Sequence, residues 1–175
     1  DVTKSKANEL QHSGMITGAV WVDIDGDKKN ELIICGEWMS PRIFAYNDNK
    51  FKEVETNLKD MYGWWQTVAF ADVNNDGKQD LILGNIGENF YLHPSADKPV
   101  KLWLNDFDHN GSMDKIITYT IYGKDMPVFV KNDLQDQFPV IKKQNLKHEE
   151  YAQKSIQELF PEDVIRLATV KQFNY

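Results

Sequence analysis

Three segments of this sequence place oxygen-bearing side chains at alternate positions of a short loop. The clearest is residues 72–80, where the oxygen donors at relative positions 1, 3, 5 and 9 are Asp72, Asn74, Asp76 and Asp80. Alternate residues of an extended or turning backbone point the same way, so positions 1, 3 and 5 converge. Gly77 at position 6 permits the sharp turn that returns position 9. Such oxygens are the ligands of hard cations, so the pattern predicts a calcium site.

The same pattern occurs once before and once after this loop. The first loop (residues 23–31) offers Asp23, Asp25, Asp27 and Glu31, and the third loop (residues 106–114) offers Asp106, Asp108, Asn110 and Asp114. At position 7 a backbone carbonyl would come from Lys29, Lys78 or Ser112. The first loop has Lys28 at position 6 and Gly26 at position 4. We therefore expect the second loop (residues 72–80) to bind calcium most tightly and the other two about equally.

An EF-hand is the main competing interpretation of these loops, and the sequence excludes it. An EF-hand requires an acidic residue at position 12, where the three loops have Ile34, Leu83 and Ile117. These apolar residues belong to the strand that leaves each loop. Two alternatives remain open: the loops are solvated turns that bind nothing, or they hold calcium only to make the fold rigid.

Composition limits the classes of partner. The chain has 175 residues, 12% aromatic residues and a net charge of −7, and it has no basic stripe to neutralise phosphates, which argues against nucleic acid. One divalent ion per loop would raise the net charge by six, to about −1. No apolar run approaches the ~20 residues of a membrane-spanning helix. The sequence begins with Asp1 rather than Met, so we interpret it as a processed protein or an excised piece.

The elements that must position the loops are short strands separated by turn residues. We predict a first meander of strands at residues 15–24, 31–35, 41–46 and 50–54. A second is predicted at 64–73, 80–83 and 90–92, and a third at 100–104, 115–122 and 127–130. Gly36 is expected to end the strand that holds Cys35, and this lone cysteine is expected to be a buried, inert thiol.

After residue 131 the pattern changes from strand to helix. Leu134, Phe138, Ile141 and Leu146 lie near helical spacing, with Pro139 interrupting or restarting the helix. Residues 149–160 are predicted as one helix that Pro161 ends. We therefore divide the chain into β repeats (1–131), a helical insertion (132–161) and the start of a further β element (162–175).

The loop-to-loop offsets, 23 to 72 and 72 to 106, suggest repeats of three or four strands. Such units are typical of a β-propeller or a related stacked array. The predicted fold class is mainly β, with antiparallel meanders as blades of a partial β-propeller. A closed propeller needs about four to eight blades, so we expect a piece of a propeller or an open array.

Residues 72–80, flanked by residues 68–70 and 81–84, resemble the FG-GAP (VCBS-type) repeat of integrin α-subunit propellers. Gly18 and Ala19 are similar to the Gly-Ala-Pro element of that repeat, with Val20 in place of the proline. Residues 102–160 resemble large bacterial cell-envelope proteins in which such a loop is followed by a helical insert. The resemblance covers about residues 14–161. It implies calcium in the loops and a role in adhesion, ligand binding or domain scaffolding.

We therefore expect a calcium-binding module of an exported or cell-surface protein, with a protein or glycan partner at the cell surface. Sites that need ~10⁻⁴ to 10⁻³ M calcium are filled outside the cell and not in cytosol. The alternative is a carbohydrate-binding or accessory domain of a polysaccharide-processing enzyme, with Tyr62, Trp64 and Trp65 stacking on sugar. Otherwise these aromatics are strand residues packed between blades. We expect no active site in this segment and no membrane-spanning segment. Unpaired strand edges would allow self-association.

Overall fold

The computed structural model describes residues 1–173, apart from the side chain of Glu88. Its ten strands are β1 (Met15–Val22), β2 (Glu31–Met39), β3 (Arg42–Asn47), β4 (Lys50–Val54), β5 (Gly63–Ala71), β6 (Asp80–Asn85), β7 (Val100–Asn105), β8 (Asp114–Ile121), β9 (Lys124–Pro127) and β10 (Thr169–Phe173). Its helices are α1 (Thr3–Lys6), α2 (Lys131–Gln137), α3 (Pro139–Gln144), α4 (His148–Ala152), α5 (Ile156–Leu159) and α6 (Glu162–Leu167). Single 3₁₀ turns lie at Asn8–Leu10 and Gly87–Asn89. The predicted mainly β fold class is confirmed.

The described chain divides into two compact units. Unit 1 contains residues 1–93 and unit 2 contains the described residues from Pro94 onward. Each unit has its own antiparallel sheet, and no closed ring of blades is present within residues 1–173. This division differs from the sequence-based boundaries at 1–131, 132–161 and 162–175, which follow the type of repeat. Residues 174 and 175 of the last segment lie outside the described residues.

The sheet of unit 1 has the strand order β4-β3-β2-β5-β6, with β1 paired to β2. The four-strand meander β1 to β4 forms as predicted. The strand expected to stop at Gly36 instead continues to Met39. A Cβ on Gly36 would lie 2.1 Å from the Met15 carbonyl oxygen, so the glycine permits β1 to approach closely and does not end the strand.

The predicted strand at residues 90–92 does not form. The chain instead makes the 3₁₀ turn Gly87–Asn89 after β6. The ring of Phe90 then packs edge-on against Trp64, with 5.0 Å between ring centroids. Leu92 is buried as well. Phe90 therefore packs its ring on β5, and residues 90–92 do not add a strand beside β6.

The core of unit 1 is closed by the N-terminal segment. Ile34, Met39 and Phe44 form a buried cluster, against which Leu10 packs. Beside it, the Nε–H group of Arg42 on β3 donates a hydrogen bond to the carboxylate of Glu53 on β4 (2.8 Å).

Cys35 on β2 is fully buried, and this burial raises the pKa of its thiol. The prediction of a buried thiol is confirmed, and a raised pKa leaves little reactive thiolate at neutral pH.

The sheet of unit 2 has the order β10-β7-β8-β9, and the helices pack on it. The shared core contains residues of β7, the third loop, β8 and helices α2 to α6: Trp103, Phe107, Ile116, Leu134, Phe138, Ile141, Tyr151, Ile156, Leu159, Phe160 and Val164. The helical insertion is therefore not a separate body, since it shares one core with the third hairpin. None of the helices within residues 1–173 is long and apolar enough to cross a membrane.

Two predictions for the C-terminal part of the chain, one helix and one β element, need correction. The single helix expected over 149–160 is two short helices, α4 and α5, because Ser155 and Glu158 form a capping box that starts a new helix. The β element expected from residue 162 begins with helix α6, since Pro161 precedes acidic Glu162 and Asp163 in its first turn. The strand then starts at Thr169 and pairs with β7. As predicted, Pro139 restarts the helix at α3.

A buried carboxylate joins the sheet of unit 2 to its helices. Asp125 on β9 accepts hydrogen bonds from Lys101 Nζ (3.0 Å), Thr120 Oγ1 (2.9 Å) and Gln157 Nε2 (3.0 Å). Desolvation raises the pKa of Asp125, but the hydrogen bonds from Lys101, Gln157 and Thr120 together lower it below its usual value. Asp125 therefore stays ionised at neutral pH and fixes α5 on the sheet.

Candidate metal centres

Each of the three loops connects two adjacent antiparallel strands in the same register. Position 1 directly follows the entering strand, and position 9 is the first residue of the leaving strand. The residue before position 1 pairs with position 9 in every case: Val22 with Glu31, Ala71 with Asp80, and Asn105 with Asp114. The sheet pairing thus holds the two ends of the donor set together before any ion binds.

The loops also share a pattern of hydrogen bonds from backbone N–H groups to the predicted ligand oxygens. The position 9 carboxylate accepts the N–H of position 2 at Ile24 (3.2 Å), Val73 (3.0 Å) and Phe107 (3.0 Å). The position 3 oxygen accepts the N–H of position 5 at Asp27 (3.0 Å), Asp76 (3.0 Å) and Asn110 (3.2 Å). The position 1 carboxylate accepts N–H groups across the turn from Gly26, Lys28, Asp76, Gly77, Asn110 and Gly111. All three loops are therefore one structural motif.

Position 7, the predicted source of a backbone ligand, is held in the same way in each loop. The N–H groups of Lys29, Lys78 and Ser112 donate to the position 5 oxygen at 2.8, 2.9 and 2.8 Å. The Lys29 ammonium also lies 3.4 Å from a carboxylate oxygen of Asp27. In the first loop a cationic side chain therefore already compensates part of the acidic charge.

The backbone is left-handed at positions 4 and 6 of every loop. The φ values are 84° and 69° at Gly26 and Lys28, 61° and 83° at Asn75 and Gly77, and 58° and 86° at His109 and Gly111. Each loop therefore has glycine at one of the two left-handed positions. Lys28 at position 6 of the first loop is compatible with the turn, because Gly26 occupies the other such position.

We expect Lys28→Gly to stabilise the first loop by about 0.5–1 kcal/mol, since a lysine in the left-handed region costs more than the added flexibility of glycine. Lys29→Gly is the matched control, because the backbone of Lys29 is outside that region. That control should destabilise by about 0.5–1 kcal/mol. Urea unfolding in EDTA measures both changes without a contribution from bound metal. Equal destabilisation by the two variants would contradict the prediction.

The loops differ in how closely their carboxylates gather. Within residues 1–173, trios whose oxygens all lie within 4.8 Å of one another occur in the first loop (Asp23, Asp25, Asp27) and in the third (Asp106, Asp108, Asp114). The second loop has an amide at position 3, and Asn74 Nδ2 donates to Asp76 at 3.1 Å. Three carboxylates therefore gather in the first and third loops, and the second loop combines carboxylates with an amide. The affinity order expected from the sequence stays a prediction.

The third loop is built into the core of unit 2. Phe107 at position 2 is buried, and its ring contacts Phe160 (4.9 Å between centroids) and Phe138 (6.1 Å). Asp114 at position 9 is buried too, and its Oδ1 accepts a hydrogen bond from Gln137 of α2 (3.0 Å). A candidate ligand of the third loop is therefore oriented by the helical segment, which no spacing within the loop could reveal.

Hydrogen bonds from backbone N–H groups lower the pKa of one carboxyl group in the third loop. Desolvation raises the pKa of Asp106, but the N–H groups of Gly111 and Asn110, together with nearby His109, lower it below its usual value. His109 is itself exposed. The loop thus keeps Asp106 ionised, which is the form that can ligate a cation.

The aromatic residues predicted to stack on sugar are mostly buried. Trp64 and Trp65 are 8% and 7% exposed, and Tyr62 is 42% exposed. Trp64 packs edge-on against Trp38, with 5.4 Å between centroids, and Trp65 Nε1 donates to the Met61 carbonyl oxygen (2.9 Å). The structure favours packing within unit 1 for these two tryptophans. A stacking surface formed by all three residues is not present.

Sequence reasoning missed a different aromatic group that is exposed. Trp21, at the end of β1, and Tyr46, before the β3–β4 turn, are exposed, and the half-buried Phe51 after the turn contacts both rings. The available signal was the run of turn residues Asn47, Asp48 and Asn49. In the structure Asp48 and Asn49 have φ values of 50° and 62°, and they form a tight hairpin. Such a hairpin pairs Tyr46 directly with Phe51.

Comparison with known proteins identifies one repeat. A protein-family model described as an FG-GAP-like repeat matches residues 23–83. The match spans the first loop, strands β2 to β5 and the second loop, and the third loop lies outside it. No curated protein and no solved structure matches the chain significantly.

Proposed function

Residues 23–83 of this chain are an FG-GAP-like repeat, and from this premise we propose that the chain is a calcium-binding, β-propeller-like module. The observation that carries the proposal is the shared geometry of the loops. In three hairpins the same strand pairing holds a loop with oxygen-bearing side chains at positions 1, 3, 5 and 9. In two of these loops three carboxylates lie close together.

Calcium suits these loops better than other common cations. It accepts six to eight oxygen ligands at flexible geometry, whereas Mg²⁺ demands a near-ideal octahedron and keeps several waters. The donors are carboxylates, amides and backbone carbonyls without a histidine or cysteine ligand, which argues against zinc or copper. The loop ligands are mostly at the surface, where water completes a coordination shell readily.

The role proposed for the ion is to close each hairpin. Gathered carboxylates repel one another, and a divalent cation converts this repulsion into attraction. The ion would link position 1, at the end of one strand, to position 9, at the start of the next. In the third loop it would also stabilise the contact between Asp114 and Gln137, so ion binding would support the helices of unit 2.

We further propose that the module serves adhesion or scaffolding in an exported or cell-surface protein, with a protein or glycan partner and no catalytic role of its own. Surface loops of this kind need calcium near the extracellular concentration, ~10⁻⁴ to 10⁻³ M. β6 lies at one end of its sheet path, and Ile82 on it is 42% exposed. Such an edge can accept another strand, from a further copy or from a partner.

Isothermal titration with calcium tests the proposal. We expect binding in the range of ~10⁻⁴ to 10⁻³ M for the intact protein. The variants Asp23→Asn, Asp72→Asn and Asp106→Asn should each remove the contribution of one loop, and their effects rank the three affinities. Asp60→Asn, an exposed acid outside the loops, should change nothing. No heat of binding in millimolar calcium, or equal loss with Asp60→Asn, would refute the calcium assignment.

A further inference from the structure

An aromatic surface made by the exposed Trp21 and Tyr46 and the half-buried Phe51, which also packs on the core cluster of unit 1, lies at one end of the sheet of that unit. Trp21 is 53% exposed and Tyr46 is 38% exposed. Phe51 lies between them, with ring centroids 5.6 Å from Trp21 and 4.8 Å from Tyr46. The rings are tilted by 56° and 48°, so they offer separate faces to a ligand. Exposed aromatic patches of this kind commonly mark binding sites.

The aromatic surface lines a cavity of about 390 Å³ together with Lys6, Lys29 and Asn30. This volume lies in the range of roughly 300–1,000 Å³ that is typical of small-ligand sites. A second cavity of about 390 Å³ shares Lys6 and Phe51 with the first. These two adjoining cavities, which share Lys6 and Phe51, make up the groove.

The groove is basic although the chain is acidic. Five lysines line the two cavities, Lys4, Lys6, Lys29, Lys50 and Lys52, against the single acid Glu9, while the whole chain carries −7. Among the described residues, Lys4, Lys6 and Lys50 form no ion pair with an acid. The other two make exposed pairs, Lys29 with Asp27 (3.4 Å) and Lys52 with Asp48 (3.8 Å), and such pairs stabilise little and are easily exchanged.

We propose that this groove binds an acidic oligosaccharide, a chain of pyranose rings that carries carboxylate groups. Apolar faces of the sugar rings would pack on Trp21 and Tyr46, whose side chains combine an apolar face with a polar edge. The lysine ammonium groups would pair with the sugar carboxylates, and the Asn30 amide would hydrogen-bond hydroxyl groups. Charge complementarity therefore selects an anionic ligand, and the aromatic surface selects one with flat apolar faces.

An extended peptide fits the groove less well. A peptide would add to the edge strand β4 through backbone hydrogen bonds, but the N–H of Glu53 on that strand already donates to Glu9 Oε2 (2.6 Å). The N-terminal segment thus occupies this part of the edge, and Lys50 and Lys52 on β4 discourage strand addition. The groove keeps its side-chain surface accessible, which favours a ligand recognised by side chains.

The experiment is a titration of the full chain, in 2 mM calcium, with an octasaccharide of alternating glucuronic acid and N-acetylglucosamine. The neutral control is an N-acetylglucosamine oligomer of equal length. We expect the acidic ligand to bind at least tenfold more tightly, and raising NaCl from 50 to 300 mM should weaken it severalfold. Equal binding of the two sugars would overturn the proposal. Repeating the titration in EDTA separates this inference from the calcium proposal, because Trp21, Tyr46 and Lys6 lie outside the loops and only Lys29 and Asn30 belong to the first loop.

Variants locate the site. Trp21→Ala should weaken binding at least tenfold, and Tyr46→Ala provides a second test should the first variant fail to fold. Tyr46→Phe, which keeps the ring, should retain binding, and Lys6→Gln should weaken it and reduce its salt dependence. Tyr91→Ala, 68% exposed in the same unit, and Lys143→Gln in unit 2 are controls expected to change nothing.

Each other possible ligand of the groove would give a different experimental result. Unchanged binding by both Trp21→Ala and Tyr46→Ala would overturn the proposal. Tighter binding of a single-stranded oligonucleotide or of a glutamate-rich peptide at the same residues would replace the sugar by that ligand. Concentration-dependent self-association that Trp21→Ala abolishes, measured by light scattering, would assign the surface to a second copy of the chain.

Discussion

Removal of calcium with millimolar EDTA is expected to lower the thermal unfolding midpoint by roughly 6–20 °C for each occupied site. A ligand at 10 to 100 times its dissociation constant stabilises the folded state by about 1.4–2.7 kcal/mol per site. With dissociation constants of ~10⁻⁴ to 10⁻³ M, 10 mM calcium reaches this range. For units of this size each kcal/mol corresponds to about 4–8 °C. Scanning calorimetry with and without EDTA gives the shift.

Two controls separate specific binding from general screening of the −7 charge. Sodium chloride at matched ionic strength should recover only a small part of the shift, because screening acts on all exposed charges. Magnesium at 10 mM should recover less than calcium, since it demands stricter geometry. Asp23→Asn should reduce the calcium-dependent part of the shift, and Asp60→Asn should leave it intact. The same melting curve with and without calcium would exclude the loops as ion clamps.

Phe138→Ala is expected to destabilise unit 2 by about 3–5 kcal/mol, the range for removal of a buried aromatic ring. Phe138 is fully buried and lies in edge-on contact with Phe160 (5.2 Å between centroids) and Phe107 (6.1 Å). The truncation removes both contacts and leaves a cavity between the third loop and the helices. Since a domain of this kind has about 5–15 kcal/mol of stability in total, the loss should be plain in urea unfolding.

Val140→Ala is the matched control for this prediction. It lies two residues away at the start of α3 and is 41% exposed, so its truncation should cost within about 0.5 kcal/mol. Similar stabilities for Phe138→Ala and Val140→Ala would mean that the helices do not share a core with the third hairpin. Loss of stability in Phe138→Ala alone supports a single core for unit 2.

The three loops show how much of a structure local sequence patterns can predict. Positions 1, 3, 5 and 9 could be assigned from residue type, because alternation along the backbone and the need for a turn are local properties. The sequence also implied that each loop joins two strands, and the paired registers of β1–β2, β5–β6 and β7–β8 agree. The tolerance of Lys28 at position 6 was not evident, because the second left-handed position became visible only in the backbone.

The helical segment shows where local patterns were insufficient. The spacing within residues 149–160 predicts one stripe, and all of its members except the exposed Ala152 are buried: Tyr151, Ser155, Ile156, Leu159 and Phe160. The break between α4 and α5 depends on a capping box at Ser155 that competes with a continuous helix. Pairing of β10 with β7 joins residues more than 60 positions apart, and no local pattern specifies such a partner.

The sequence alone determined the strand-loop-strand hairpins, the oxygen-bearing side chains of the loops and the mainly β fold class. These depend on alternation, turn residues and charge, which act over a few positions. Only the tertiary structure decided which loops gather their carboxylates, that Gln137 orients Asp114, and that Trp64 and Trp65 are buried while Trp21 and Tyr46 are exposed. Burial and convergence depend on which distant elements pack together. The loop of residues 72–80 has the most regular sequence, yet the carboxylate trios form in its two neighbours.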